Sequence, residues 1–246
     1  MPRLSWKLSA ITDTGLQRFD NQDNYYVSPD EKVLVVADGM GGAANGADAS
    51  RLAIESVQAA WEKENPNYDD HEQLRLWLLE AVARANNSVL TLPSPSFSQK
   101  PGTTIVVAAQ ASNGTISVAH VGDSRAYVFR SGETRRLTQD HTLVAEMVSS
   151  GQITEDQAAM NPYRHMLTRC LGHDPNVKID HTDFELQPGD WALLCTDGVC
   201  GVLTDAEIAG VIKQSETPST LCQELLEEVM ERKAPDNLTM IALQYH

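Results

Sequence analysis

Residues 33–42 constrain the fold most. They read Val-Leu-Val-Val-Ala-Asp-Gly-Met-Gly-Gly, an apolar, mostly β-branched run that ends at an aspartate and three glycines. Such a run predicts a buried strand that places the Asp38 carboxylate at its end. Gly39, Gly41 and Gly42 predict a sharp turn there and a backbone carbonyl that faces a bound cation beside Asp38. An ordinary Asp-Gly turn is the alternative, and the positions of the other acidic residues decide between a cation site and such a turn.

Three further aspartates stand at similar positions. The apolar run from Trp191 to Gly198 also ends in Asp-Gly, at Asp197, and a second instance is hard to attribute to chance. Asp23 opens a β-prone segment, and a hairpin would bring it beside Asp38. Asp123 lies at a tight corner where the chain reverses between two strands, for which a simple Asx turn is the alternative. The sequence therefore predicts several acids at strand ends.

Length and charge narrow the class of protein. The 246 residues are 41% hydrophobic, which is enough for one domain spanning 1–246 with a sizeable core. The net charge of −15 disfavours nucleic acid and anionic membranes as partners. We find no signal peptide and no apolar segment of the ~20 residues that span a bilayer, so a soluble, cytoplasmic protein is expected.

Periodicity predicts an alternation of strands and helices. Apolar residues at helical spacing predict helices over about 48–63, 74–89, 205–213 and 218–232. β-prone runs predict strands over about 103–109, 115–121, 125–129, 178–185 and 238–244. Between about 140 and 172 the strand pattern gives way to short helical pieces, which predicts a functional flap or, alternatively, a plain insertion.

Seven short motifs stand in one order along the chain. They are Arg18-x-x-Asn21-Gln22-Asp23, Asp38-Gly39-Met40-Gly41-Gly42, Gly102-Thr103-Thr104, His120-Val121-Gly122-Asp123-Ser124-Arg125, Leu137-Thr138-x-Asp140-His141, Asp197-Gly198 and Asp236-Asn237-x-Thr239. Together, from about residue 8 to 244, they resemble the metal-dependent protein phosphatase family, also called type 2C. The resemblance implies an α+β fold, a four-layer α/β/β/α sandwich of two mostly antiparallel sheets flanked by helices, with the flap as an insertion. It also implies hydrolysis of phosphoserine and phosphothreonine esters.

The resemblance assigns ligands for two Mg²⁺ or Mn²⁺ ions. Asp38 would bridge both ions. Asp197 and Asp236 would complete the first, whereas Asp23 and the Gly39 carbonyl would hold the second. Carboxylates that converge from distant segments would repel one another unless cations neutralised them, and all-oxygen sites suit these ions.

A third, weaker ion and the phosphate contact complete the implied site. Asp123, with Asp197, would hold this ion, and Arg18 falls where the family places its phosphate-contacting arginine. Arg18, Asp38 and Asp197 are then the catalytic residues. A water bridging two ions roughly 3.5–4 Å apart is a nucleophile near neutral pH, and it would attack the phosphorus directly.

The proton donor for the leaving alcohol is unassigned. Some members of the family carry a histidine directly after the Asp-Gly pair, where this chain has Met40. Metal-bound water is the default donor, and His141 and His165 are the other candidates. Arg164 and His165, in the flap, are expected to bind the substrate.

The expected partner is a phosphorylated protein, and the expected state is a monomer. Two alternatives remain: a catalytically weak phosphoprotein-binding sensor that uses the flap, and a phosphatase for a small phosphoester. All five aspartates that the resemblance assigns as ligands are present, which argues against the sensor.

Overall fold

A computed structural model describes residues 6–41, 45–64, 66–67, 69–94 and 100–246; Gly42 of the glycine-rich motif lies outside them. The strands of the described residues are β1 Trp6–Asp13, β2 Asp23–Val27, β3 Val33–Met40, β4 Gly102–Thr103, β5 Ile105–Gln110, β6 Thr115–Val121, β7 Arg125–Arg130, β8 Glu133–Arg136, β9 Asp180–Glu185, β10 Trp191–Cys195 and β11 Leu238–Tyr245. The helices are α1 Asn45–Glu64, α2 His71–Leu90, α3 Leu143–Ser149, α4 Glu155–Ala159, α5 Asp197–Cys200, α6 Asp205–Gln214 and α7 Pro218–Glu231. None of these helices is long and apolar enough to cross a membrane.

The strands form two sheets that lie between two pairs of helices. One sheet has the order β1-β11-β10-β7-β8, and the other has the order β2-β3-β5-β6-β9 with β4 paired to β3. Every pairing is antiparallel. Helices α1 and α2 cover the second sheet and α6 and α7 cover the first. The predicted four-layer α/β/β/α sandwich is confirmed.

Alternation along β3 shows how the sequence fills these layers. Val33, Val35 and Ala37 face the helices, whereas Leu34 and Val36 face the opposite sheet. Because successive side chains point to opposite faces of a sheet, Asp38 continues the row that lies between the sheets. The apolar filling of that layer therefore stops at a carboxylate.

The predicted hairpin of β2 and β3 is confirmed. Its register places Asp23 directly opposite Asp38. Directly opposed residues of an antiparallel pair have side chains on the same face, about 4.5–5.5 Å apart at Cβ. The hairpin alone thus brings two acids together.

The sharp turn expected over Gly39, Gly41 and Gly42 does not begin at Gly39. Strand β3 runs on to Met40, pairing Gly39 with Thr103, and the first positive φ of the motif is at Gly41 (128°). Gly39 is required for close packing instead, because a Cβ at this position would lie 2.0 Å from the carbonyl oxygen of Gly46 in α1.

Two other details differ from the sequence-based expectations. The corner at Asp123 does not reverse the chain within one sheet; it passes from β6 in one sheet to β7 in the other. Strand β8 was not predicted, because this edge strand is polar, largely exposed and without apolar alternation. The crossing at Asp123 brings a residue of the middle of the chain to the layer that Asp38 enters.

Candidate active site

A cleft of about 650 Å³ opens where the apolar layer between the sheets ends. Five of the predicted ligand residues line it: Asp38, Gly39, Asp123, Asp197 and Asp236. Four of these are aspartates. They come from β3, the β6–β7 corner, the first residue of α5 and the turn before β11. The structure therefore gathers acids from four distant segments of both sheets at one place.

Asp23 lies behind this wall and is the most buried of the five acids, with 5% of its surface exposed. Its Oδ2 accepts a hydrogen bond of 2.8 Å from Thr196 Oγ1, whereas its buried Oδ1 has no hydrogen-bond partner among the described residues. Burial, followed by the charges of Asp197 and Asp236, raises the pKa of Asp23 to about 7. A buried oxygen without a donor is the position that a cation would satisfy.

The carboxyl groups at the cleft repel one another. Burial raises the pKa of Asp123 to about 8, with Asp197 as the next cause. Burial and then the charges of Asp23 and Asp197 hold the pKa of Asp38 well above its usual range. Burial, and then the charge of Asp236, raises the pKa of Asp197 as well. Cations in the cleft would relieve this repulsion.

Arg18 lies at the rim of the cleft, on a loop that is held firmly. Its Nη2 donates a hydrogen bond of 2.6 Å to Asp236 Oδ2, and its side chain is 56% exposed. Asn237 fixes the loop: Nδ2 donates to the carbonyls of Thr14 and Asp20, and Oδ1 accepts from the backbone N–H of Gln22. The arginine fork thus reaches into the cleft from a rigid support.

Sequence reasoning missed several supporting groups. Thr104 Oγ1 accepts the backbone N–H of Asp38 and lies 2.7 Å from Ser124 Oγ, so it joins β3 to the corner at Asp123. Thr196 supports Asp23, as described above. Asn237 stands in a quoted motif without an assigned role. For three of the ligand aspartates the available signal was a polar neighbour in sequence: Ser124 beside Asp123, Thr196 beside Asp197 and Asn237 beside Asp236.

The two flap residues predicted to bind substrate, His165 and Arg164, differ in their position relative to the cleft. His165 lines the cleft, with Nδ1 3.8 Å from Asp197 Oδ2. Arg164 lines a neighbouring groove of about 660 Å³. Asp123 and His165 line both this groove and the cleft. Bridges from Thr142 to Leu167 and from Thr103 to Leu171 close the flap at its base. Of Arg164 and His165, only His165 lines the cleft itself, whereas both line the neighbouring groove.

His141 does not reach the cleft, so the structure removes it as a proton donor for the leaving alcohol. Its side chain is fully buried; Nδ1 accepts the N–H of Gly122 at 3.0 Å and Nε2 lies 3.2 Å from Asp180 Oδ2. Burial, then the charge of the adjacent His120, lowers its pKa to about 4. A neutral imidazole with both nitrogens engaged positions the corner at Asp123 instead.

His120, His141 and Asp180 form a cluster with spacing suited to a metal. His120 lies 2.8 Å from the carbonyl of Gln139 through Nε2 and stacks on His141 at 4.6 Å. Asp180 pairs with Arg169 at 2.9 Å. Since these groups already have partners within the protein and a cation stands beside the carboxylate, we assign the cluster a structural role.

Replacing His141 by Ala is expected to lower the free energy of unfolding by roughly 2–4 kcal/mol, because it leaves the buried N–H of Gly122 without an acceptor and opens a cavity. Urea unfolding of the two proteins measures the change. His141→Asn, whose Oδ1 replaces Nδ1 as acceptor, should lose clearly less. Equal losses in both variants would contradict the role assigned to Nδ1.

The fold and the carboxylate cleft define a metal-dependent hydrolase. The family model described as Protein phosphatase 2C matches residues 17–239, so the chain belongs to this family. The predicted serine/threonine protein phosphatase is confirmed, and its substrates are phosphoproteins.

Named relatives extend over the same length. The serine/threonine phosphatase stp of Listeria innocua is 30% identical over 236 residues, 95% of this chain and 93% of that protein. The structure of the S. agalactiae serine/threonine phosphatase is 32% identical, with a TM-score of 0.89 over 98% of this chain and 99% of that one. The catalytic domain of PstP in complex with two manganese ions is 29% identical, with a TM-score of 0.85 over 98% and 99% of the two chains.

Proposed function

We propose that Asp23 and the four aspartates that line the cleft bind the Mg²⁺ or Mn²⁺ ions of this phosphatase. Asp38, Asp197 and Asp236 would hold one ion, Asp38, Asp23 and the Gly39 carbonyl would hold a second, and Asp123 with Asp197 would hold a third, weaker one. The observation that carries the proposal is the buried Oδ1 of Asp23, which has no hydrogen-bond partner in the part of the chain that the structure describes and lies among carboxyls whose pKa values are raised. The donor set is entirely oxygen, which suits these hard cations.

The bound ions would supply Lewis-acid stabilisation of the phosphoryl oxygens and an acidified water as nucleophile. The protein's own groups do the rest. Arg18 turns its guanidinium fork from Asp236 to two phosphoryl oxygens, and Asn237 keeps the Arg18 loop in place during this exchange. No side chain needs to form a covalent phosphoenzyme.

The flap, residues 140–172, is proposed to govern which phosphoprotein binds. His165 is close enough to Asp197 to meet a substrate in the cleft, and it is also the side chain left as a candidate proton donor for the leaving alcohol. Arg164 would contact the substrate further along, in the neighbouring groove. Loops above a rigid site commonly set specificity in this way.

The wider setting is part of the same proposal. We infer one catalytic domain over 1–246, which acts as a cytoplasmic monomer in signalling and binds neither nucleic acid nor membranes, in keeping with its net charge of −15. The relatives do not favour the alternatives of a binding sensor or a small-phosphoester phosphatase.

A calorimetric titration with Mn²⁺ tests the metal centre. The metal-free wild-type protein should bind two ions tightly and a third weakly. Asp123→Ala should keep both tight sites, lose the weak one and turn over phosphopeptides about tenfold to a hundredfold more slowly, the usual effect of losing a supporting metal interaction. A variant that loses the tight sites would refute this assignment.

A further inference from the structure

Most of the exposed large apolar side chains of the described residues lie on two segments that border the cleft. Seven such side chains are exposed, and five of them lie on these segments: Leu16 and Phe19 on the Arg18 loop, and Met160, Tyr163 and Met166 on the flap. Exposed apolar side chains on both segments, in a protein with net charge −15, indicate a contact surface.

Phe19 is the extreme member of this group. Its exposed fraction is 101%, as large as in a free peptide, and it lines the cleft directly after Arg18. The loop that carries it is not loose, because Asn237 holds the carbonyls of Thr14 and Asp20 and the N–H of Leu16 donates to Ala234 O. A fixed backbone therefore presents a bare aromatic ring to whatever enters the cleft.

The two segments share one arrangement. On the loop, Arg18 reaches Asp236 at 2.6 Å and Phe19 follows it. On the flap, His165 reaches Asp197 at 3.8 Å and Met166 follows it. Each segment thus brings a basic group to the carboxylates and leaves an apolar group immediately outside. The phosphate group itself needs only the basic groups. The apolar side chains are therefore available to contact the peptide that carries the phosphate.

We propose that Phe19 is a specificity-determining residue that packs on an aliphatic or aromatic side chain next to the phosphorylated residue of the substrate. An extended peptide advances about 3.3–3.6 Å per residue, so a ring beside the phosphate-binding arginine meets the first or second neighbour of the phosphoresidue. The preferred substrate is therefore a phosphoserine or phosphothreonine flanked by apolar residues. This inference rests on the proposed function of the cleft.

The test compares two phosphothreonine peptides that differ only in the residues flanking phosphothreonine, leucine in one and serine in the other. Phe19→Ala should lower the preference of the enzyme for the leucine peptide, as a ratio of kcat/KM values, about fivefold to twentyfold, the factor expected when an aromatic ring no longer covers apolar surface. Phe19→Leu should retain most of the preference.

Leu76→Ala is the matched control, because Leu76 is 54% exposed on α2, away from the cleft, and should leave the ratio unchanged. An equal loss on both peptides, or no loss, would overturn the proposal. Light scattering separates a further outcome: if Phe19→Ala dissociates a dimer without altering the ratio, the ring serves self-association and the proposal fails. If the wild-type enzyme with Mn²⁺ hydrolyses neither peptide, the proposed function fails instead.

Discussion

Replacing Asp38 by Asn is expected to abolish phosphatase activity and, in the metal-free protein, to raise the melting temperature. Activity should fall on the order of 10³-fold or more, since metal ions supply several kcal/mol of transition-state stabilisation and about 1.4 kcal/mol corresponds to tenfold. Stability should rise because Asn removes a carboxyl group that must either stay charged beside Asp23 and Asp197 or take up a proton on folding. In a chain of this size, each kcal/mol relieved adds roughly 2–4 °C. Phosphopeptide turnover measures the loss of activity, and thermal unfolding in chelator measures the change in melting temperature. Added Mn²⁺ should stabilise the variant much less than it stabilises the wild-type protein.

The stability of the metal-free protein should fall as the pH rises. Asp23 and Asp123 have folded-state pKa values of about 7 and about 8, above the ordinary value of 3.8 for an unfolded chain. The folded metal-free protein therefore binds these protons more tightly than the unfolded chain does. Their contribution to stability is present below pH 3.8 and is lost as pH rises towards 8. The Asp38→Asn variant should lose less stability over that interval.

Asp190→Asn is the control, and it should change stability in the opposite direction. Asp190 is buried as well, but it pairs with Arg130 at 2.6 Å and accepts from the N–H of Gln187, away from the cleft. Its replacement should lower stability by roughly 1–3 kcal/mol and leave turnover intact. A metal-free Asp38→Asn protein that is less stable than wild type would contradict repulsion between Asp38 and the neighbouring carboxyl groups.

Replacing Arg18 by Lys is expected to lower kcat/KM on phosphopeptides about tenfold to a hundredfold, because charge-assisted hydrogen bonds contribute about 1.5–3 kcal/mol and lysine lacks the planar fork. Mn²⁺ affinity should stay within about twofold. Stability should change by less than about 1 kcal/mol, since the ion pair with Asp236 is exposed. Steady-state kinetics, calorimetry and thermal unfolding measure the three quantities.

Arg51→Lys supplies the comparison for Arg18. Arg51 is similarly exposed and pairs with Asp48 and Glu55 on α1, with no contact to the cleft. It should behave as wild type in all three measurements. If Arg18→Lys did the same, Arg18 would be an ordinary surface charge. A loss of Mn²⁺ affinity would instead place Arg18 in support of Asp236.

Local patterns were sufficient to predict most of the sheet and the pairing of two ligands. Alternating and β-branched residues fix which face of β3 is buried, and a one-residue shift would turn every side chain to the other face. The turn after Val27 then sets the register that places Asp23 opposite Asp38. Both properties depend on neighbours in sequence, which is why they were predictable.

The sequence by itself therefore determined the strand pattern, the five candidate acids and the family. Only the tertiary structure decided which groups share a space. It buried His141 behind the corner at Asp123, turned Arg164 into the second groove while His165 stayed at the cleft, and left Phe19 bare beside Arg18. These outcomes depend on contacts between segments far apart in the chain, where the crossing of β6 into β7 and the packing of a flap set distances that no local spacing encodes.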